Sequence, residues 1–171
     1  MDGRPGGNKL SASYLRNFIF GVEDSLVATV GLLSGIAVAN APRSAIFLTG
    51  VVFTIVEGFS MAAGSFLSEY SVEEYTMKAE KPSRGDYMAG IVMFFSYFVS
   101  GFIPLAPYLF LAVNEALKLS IILSIIALFM LGVVGARISG TGMFRNALRM
   151  TLVGGIAFGI GMIAGRFVPR I

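Results

Sequence analysis

The 171-residue sequence holds no cysteine, no histidine and no tryptophan. Without cysteine there is no disulfide framework, zinc finger, thiolate nucleophile or iron–sulfur ligation. Without histidine there is no Ser-His-Asp triad and no imidazole metal ligand. Charge is scarce as well. Only 13% of residues are charged, against roughly 25% in soluble domains. The 13 basic residues balance 10 acidic ones to a net charge of +3 and are scattered, so the concentrated basic face that nucleic acid requires is missing and no nucleic-acid partner is expected. No nucleophile–base pair or cofactor motif stands out, so neither an enzyme nor a bound cofactor is expected. What remains is apolar: 56% of residues are hydrophobic, and 21 are glycine.

The apolar residues come in runs of membrane-spanning length. Asn17 to Ala39 is 23 residues, or roughly 35 Å of helix, enough to cross a ~30 Å hydrocarbon core. Ala45 to Leu67 repeats that length. Tyr87 to Ala136 is 50 residues, too long for one helix, and must turn back. The polar cluster Asn114-Glu115-Ala116-Leu117-Lys118 is the preferred turn, with Pro104-Leu105-Ala106-Pro107 as a kink near the end of the third helix. The alternative turn is at the prolines, which would leave Glu115 and Lys118 inside a span. A last run covers Ala147 to Phe167.

The expectation is thus an all-α integral membrane protein with spans at about 17–39, 45–67, 87–113, 119–136 and 147–167. A flexible tail over 1–13 precedes a single transmembrane domain over 14–171, with a short cytosolic loop at 68–86. The first run is too long, and too interrupted by Glu23 and Asp24, to be the core of a cleavable signal peptide.

The basic residues orient the spans. With the N-terminus cytosolic, Arg4, Lys9, Arg16, Lys78, Lys81, Arg84, Arg137, Arg145 and Arg149 lie inside, while Arg43, Lys118, Arg166 and Arg170 lie outside. This 9-to-4 division of the 13 basic residues follows the positive-inside rule and leaves the C-terminus outside.

In so apolar a chain, acids at membrane depth carry the information, because each costs ~2.5–3.5 kcal/mol to insert and such residues face cavities or ion pathways. Glu23, Asp24 and Glu57 are those acids. Glu57 sits near the middle of its span; Glu23 and Asp24 lie a turn or two inside, within reach of either interfacial water or a pathway. In the first helix Asn17, Gly21, Asp24, Ala28, Gly31 and Gly35 form one stripe of polar and small residues. Gly50, Thr54, Glu57, Met61, Gly64 and Ser68 do so in the second. Two stripes, each with an acid, would line a narrow cation path. Close packing is the competing reading, since Gly31-xxx-Gly35, Gly155-xxx-Gly159 and Gly161-xxx-Gly165 match the small-xxx-small pattern. Met61, one turn from Glu57, is either packing or a thioether beside carboxylates, which suits Fe²⁺ or Mn²⁺ better than Mg²⁺ or Ca²⁺. Past the second span, Glu69 and Glu73 at i, i+4 are candidates for cytosolic metal capture, or else a solvated helix face.

Three ordered motifs resemble a known family. Arg16-Asn17-Phe18-Ile19-Phe20-Gly21-Val22-Glu23-Asp24-Ser25-Leu26, followed by Val30-Gly31-Leu32-Leu33-Ser34-Gly35, resembles the opening of the vacuolar iron transporter family. That family includes iron/manganese transporters and nodulin-like proteins. Glu57-Gly58-Phe59-Ser60-Met61-Ala62-Ala63-Gly64-Ser65-Phe66-Leu67-Ser68 is similar to its second-helix signature. Gly101-Phe102-Ile103-Pro104-Leu105-Ala106-Pro107-Tyr108 is similar to its Pro-x-x-Pro segment. The resemblance implies a homodimer in the lipid bilayer with the pathway between protomers. It also implies Fe²⁺, often Mn²⁺, leaving the cytosol in exchange for protons, with Asp24 as pathway aspartate and Met61 as pathway methionine. The membrane would be the cell membrane in a prokaryote and a vacuolar or other organellar membrane in a eukaryote. Departures are Ser25 where the family has glycine, Phe53 where plant members carry an acid, and a loop too short for the family's long cytosolic metal-binding domain. A membrane-embedded structural or regulatory subunit that kept the fold and lost transport is the alternative.

Overall fold

A computed structural model describes residues 5–167, from Pro5 to Phe167. The elements are α1 (Pro5–Val38), α2 (Arg43–Met77), α3 (Arg84–Leu105), α4 (Pro107–Phe110), α5 (Val113–Ser139) and α6 (Met143–Phe167). There is no strand among the described residues. Five helices are long and apolar enough to cross a membrane: α1 from Ala12, α2, α3, α5 and α6. The chain is an all-helical, multi-pass membrane protein. Residues 1–4 and 168–171, among them Arg4 and Arg170, lie outside the described residues. The helix reaches back to Pro5, well into the stretch expected as a tail.

The third connection differs from the preferred expectation and follows the alternative. α3 ends at Leu105, Pro107 opens the single turn of α4, and α5 starts at Val113. Asn114, Glu115 and Lys118 therefore belong to the start of α5 rather than to a turn. Backbone chemistry explains the choice. Proline has no N–H to offer and fits the first position of a new helix, so the pair Pro104 and Pro107 punctuates the chain more strongly than three polar side chains do. Glu115 sits in the first turn of α5, where a negative charge meets the positive end of the helix dipole. Glu115 and Lys118 are both exposed in the first turns of this span. Ser120 Oγ donates to the Pro104 carbonyl at 2.7 Å and ties α5 to the kinked end of α3.

At the other end, α2 outruns the bilayer. Its 35 residues make roughly 52 Å of helix against a ~30 Å core, so the Met77 end projects into water and carries Glu69, Glu73 and Glu74 with it. Lys78 closes the helix in the left-handed conformation, with its N–H bonded to the Glu74 carbonyl. A capping box starts α3: Asp86 N–H donates to Ser83 Oγ at 3.3 Å and Ser83 N–H donates to the Asp86 carboxylate at 2.7 Å.

α3 is the most enclosed span, with half of its apolar window buried, whereas α2 and α6 have 22% and 17%. Two apolar clusters hold the bundle. Leu33, Ala37, Ile46, Leu105, Tyr108 and Ala116 pack at the Asn40 end, where burial pushes the Tyr108 phenol up to about 12. Leu26, Leu128, Leu131 and Met150 join α1, α5 and α6. The contact between α1 and α6 is backbone on backbone. A Cβ on Gly161 would overlap the Gly31 carbonyl, and one on Gly165 would overlap that of Gly35, so only glycine permits this approach. Gly155 and Gly159 face open space instead.

Candidate functional site

The stripe expected along the first helix serves several purposes. Gly31 and Gly35 go to α6, as above. Gly21 goes to α3, where a Cβ would stand 3.1 Å from the Met93 sulfur. Asp24 is left facing α2. The stripe on α2 divides in the same way. Gly50 packs under Leu33 and Leu105, Thr54 is buried, and Gly64 and Ser68 are exposed.

Where α1, α2 and α3 converge, small residues set the spacing. A Cβ on Gly101 would lie 2.6 Å from Thr54 Cγ2 and 3.0 Å from Ser25 Oγ. Ser25 Oγ donates to the Tyr97 carbonyl at 2.6 Å and Thr54 Oγ1 to the Gly50 carbonyl at 2.8 Å, so neither hydroxyl in this contact is left unpaired. Next to this contact, one residue before Ser25 and three after Thr54, come Asp24 and Glu57. Both are half-buried, on two of the helices that meet here. Tyr97, whose carbonyl takes the Ser25 hydrogen bond, is fully buried, and its hydroxyl has no hydrogen-bond partner among the described residues. Met61 lies one turn along α2 from Glu57 and is half-buried.

Asp24 and Glu57 thus flank one contact of the bundle, with Met61 a turn further along α2 and Tyr97 of α3 beside Ser25 and Gly58. Glu23 is half-buried and immediately precedes Asp24 on α1, but consecutive helical residues point roughly 100° apart, so it occupies the neighbouring face. Glu69 and Glu73 are elsewhere. Glu69 accepts a hydrogen bond from Ser13 Oγ at 2.5 Å and pairs with Arg16. Glu73 accepts from Ser83 Oγ at 3.1 Å. Each acid fastens the projecting end of α2 to a neighbour. No group of three or more Asp, Glu, His or Cys side chains suited to a metal ion occurs among the described residues.

Tyr97 is the member that the sequence reading passed over. Its signal was present: Ser96, Tyr97, Ser100 and Gly101 recur at helical spacing within an apolar run, marking a polar face on α3.

Comparison with known proteins decides the family. The VIT family model matches residues 15–84 and 72–166, nearly the whole chain. The chain belongs to the VIT family. It is 29% identical over 164 residues to vacuolar iron transporter homolog 5 of Oryza sativa subsp. japonica, covering 87% of this chain and 77% of the relative. To vacuolar iron transporter homolog 2 of Arabidopsis thaliana it is 26% identical over 172 residues, covering 91% and 87%. To vacuolar iron transporter 1 of Oryza sativa subsp. japonica it is 21% identical over 207 residues, covering 86% and 82%. The VIT match spans the helices that bear Asp24, Glu57, Met61 and Tyr97.

Proposed function

We propose that this VIT-family chain is a divalent transition-metal transporter, not an enzyme, and that it moves Fe²⁺ or Mn²⁺ out of the cytosol in exchange for protons. One observation carries the reading: two half-buried carboxylates, Asp24 and Glu57, flank the contact of Ser25, Thr54 and Gly101 where three membrane helices meet, with a thioether one turn away on α2. Two like charges at membrane depth repel and are desolvated, which is costly unless a cation or protons occupy the space between them. A divalent ion neutralises both at once, and two protons do the same. This equivalence is the chemical basis of exchange: the same two oxygens hold either cargo. Met61 adds a soft donor that favours Fe²⁺ or Mn²⁺ over Mg²⁺ and Ca²⁺.

One protomer offers two carboxylates and one thioether, fewer donors than such ions take up. A homodimer with the path between protomers doubles the set by symmetry. The outward face of α2 supports this arrangement. Thr49, Ser60, Gly64 and Ser68 are exposed there at or near membrane depth, and a Cβ on Gly64 would meet nothing; small and polar residues of this kind favour contact with another helix over contact with lipid. The N-terminus is cytosolic in this reading, with the Lys78 end of the bundle inside.

The test is flux. Purified protein is placed in liposomes that enclose a metal-quenched dye, and a pH gradient is imposed. Quenching by Fe²⁺ or Mn²⁺ that scales with the gradient is expected. No flux of Fe²⁺, Mn²⁺, Co²⁺ or Zn²⁺ would leave a structural or regulatory membrane subunit as the reading.

A further inference from the structure

The acids of the chain end at Glu115, while six basic residues follow it, Arg145 and Arg149 among them. The ion pair among the described residues joins Arg16 to Glu69, so neither of these two arginines is paired with a described acid. Both stand on the outer face of α6. The inner face of that helix is spent on packing. Ala147 lies against Gly132 and Gly154 under Leu128, both on the α5 side, while Gly161 and Gly165 seat on α1. Half a turn away, Arg145, Arg149, Leu152, Ile156, Ile160 and Ile163 recur at steps of three and four, and all six are exposed. From the loop after α5 inward, this stripe therefore presents two guanidiniums one turn apart and then four aliphatic side chains. Arg149 to Ile160 is 11 residues, roughly 16 Å of helix, which is the depth of one leaflet of a ~30 Å core.

We propose that the outer face of α6 binds an anionic phospholipid, with the lipid phosphate on Arg145 and Arg149 and an acyl chain along Leu152, Ile156 and Ile160. Charge complementarity selects this occupant. Like charges at i, i+4 repel, and here they sit in the first turns of α6, where the helix dipole disfavours a cation. The first turn of α6 carries no acid to offset either effect. A phosphate offsets both, and guanidinium groups bind phosphate oxygens through charge-assisted, bidentate hydrogen bonds. A zwitterionic lipid brings its own cation next to its phosphate, whereas an anionic lipid brings uncompensated charge. On the positive-inside reading the headgroup lies in the cytosolic leaflet, where anionic lipids are concentrated. α6 packs on α1 and α5, and the site draws on neither Asp24 nor Glu57, so it stands or falls apart from the metal path.

The chain has no tryptophan, so Ile156→Trp supplies a single fluorophore in the middle of the stripe, which brominated acyl chains quench on contact. The full chain is reconstituted in mixtures of phosphatidylglycerol and phosphatidylcholine, with bromine on one lipid or on the other. Comparing the two quenching curves gives the preference of position 156 for the anionic lipid. A preference of roughly ten- to thirtyfold is expected, about fivefold for each arginine beside the anionic headgroup. Arg145→Gln and Arg149→Gln should each lower it several-fold, and the two together should bring it near unity, while Arg149→Lys keeps most of it. Val99→Trp, at an exposed position of α3, should show no preference in any background. An equal preference at positions 156 and 99, or one at 156 that survives loss of both arginines, would overturn the site. Quenching of position 156 by neither brominated lipid would also overturn it, because a second copy of the chain would then cover this face.

Discussion

Ser25 on α1 and Thr54 on α2 close on Gly101 of α3, where a Cβ would stand 3.0 Å from Ser25 Oγ and 2.6 Å from Thr54 Cγ2. The half-buried acids Asp24 and Glu57 flank this contact on two helices that cross the apolar core. The geometry is enforced from one side. Directly beside the pair, Ser25, Thr54 and Gly101 lock the three helices at a spacing that no larger residue at 101 permits. The backbones that carry the acids cannot separate without breaking that contact, and Tyr97 on α3 is fully buried. On the proposed reading, two acids beside so tight a contact form a preorganised receptor for positive charge.

Replacing Asp24 by Asn keeps the shape and removes the charge. A charge-assisted contact is worth about 1.5–3 kcal/mol, so cation binding should weaken roughly ten- to hundredfold. Transport should collapse accordingly, while thermal unfolding in detergent stays at or above the parent, because one source of repulsion is gone. Normal flux by Asp24→Asn would place the acid in interfacial water and remove the proposed path.

The bundle itself was legible in the sequence, because hydrophobic length is a direct physical requirement of the bilayer. That Gly31, Gly35, Gly161 and Gly165 could pack closely was legible in their small-xxx-small spacing, but that α1 and α6 meet through them was not. Gly155 and Gly159 show the same spacing and pack against nothing within the chain: the pattern states that a close approach is allowed, not which partner makes it. The turn after α3 misled because side-chain polarity was weighed above backbone chemistry, and the two prolines decide it. Tyr97 went unnoticed for a related reason. A tyrosine in an apolar run looks like packing until its neighbours are known, and those neighbours sit on α1 and α2, distant in sequence. Glu69 and Glu73 looked free because their partners Ser13, Arg16 and Ser83 lie on other elements.

Orientation is tested by the cysteine-free background. On the positive-inside reading, the 9-to-4 distribution of basic residues assigns the loops after α2 and α5 to the cytosol. Cysteines at Ser83 and Gly142 should react with an impermeant reagent only from the cytosolic side, and one at Ile171 only from the opposite side. Labelling of position 171 from the cytosol would contradict five spans with the N-terminus inside.

The glycine contact between α1 and α6 should be intolerant where it is backbone on backbone and tolerant where it is open. Gly161→Ala places a methyl group into the Gly31 carbonyl, and overpacking of this kind costs about 1–3 kcal/mol. Gly159→Ala meets nothing within 4 Å and gains up to ~1 kcal/mol of helix propensity. Melting curves in one detergent should therefore move in opposite directions for the two variants. If Gly161→Ala melts with the parent, α6 is not seated on α1 in this way.

Met61 and Glu57 make separable contributions if they share one ion. They stand one turn apart on α2, so their side chains reach toward a common point, and a two-fold axis would bring a second pair to it. Oxygen ligands alone admit Mg²⁺ and Ca²⁺, which are far more abundant in cells than Fe²⁺, so charge by itself cannot choose the cargo. Sulfur gives little to Mg²⁺ and more to Fe²⁺, Mn²⁺ or Co²⁺. Met61→Leu nearly conserves volume and should cost less than about 1.5 kcal/mol in stability. Its effect should fall on selectivity, with transition-metal flux lowered relative to residual Mg²⁺ or Ca²⁺ flux. Glu57→Gln removes charge and a proton-carrying group, so it should lower the flux of every cation by a similar factor and flatten the dependence on the pH gradient. The measurement is a panel of ions against both variants in the same liposomes. Parallel profiles for the two variants would show that they do not act through different donor chemistry. An unchanged rate and ion preference in Met61→Leu would make Met61 a packing residue and leave the carboxylates to carry the site alone.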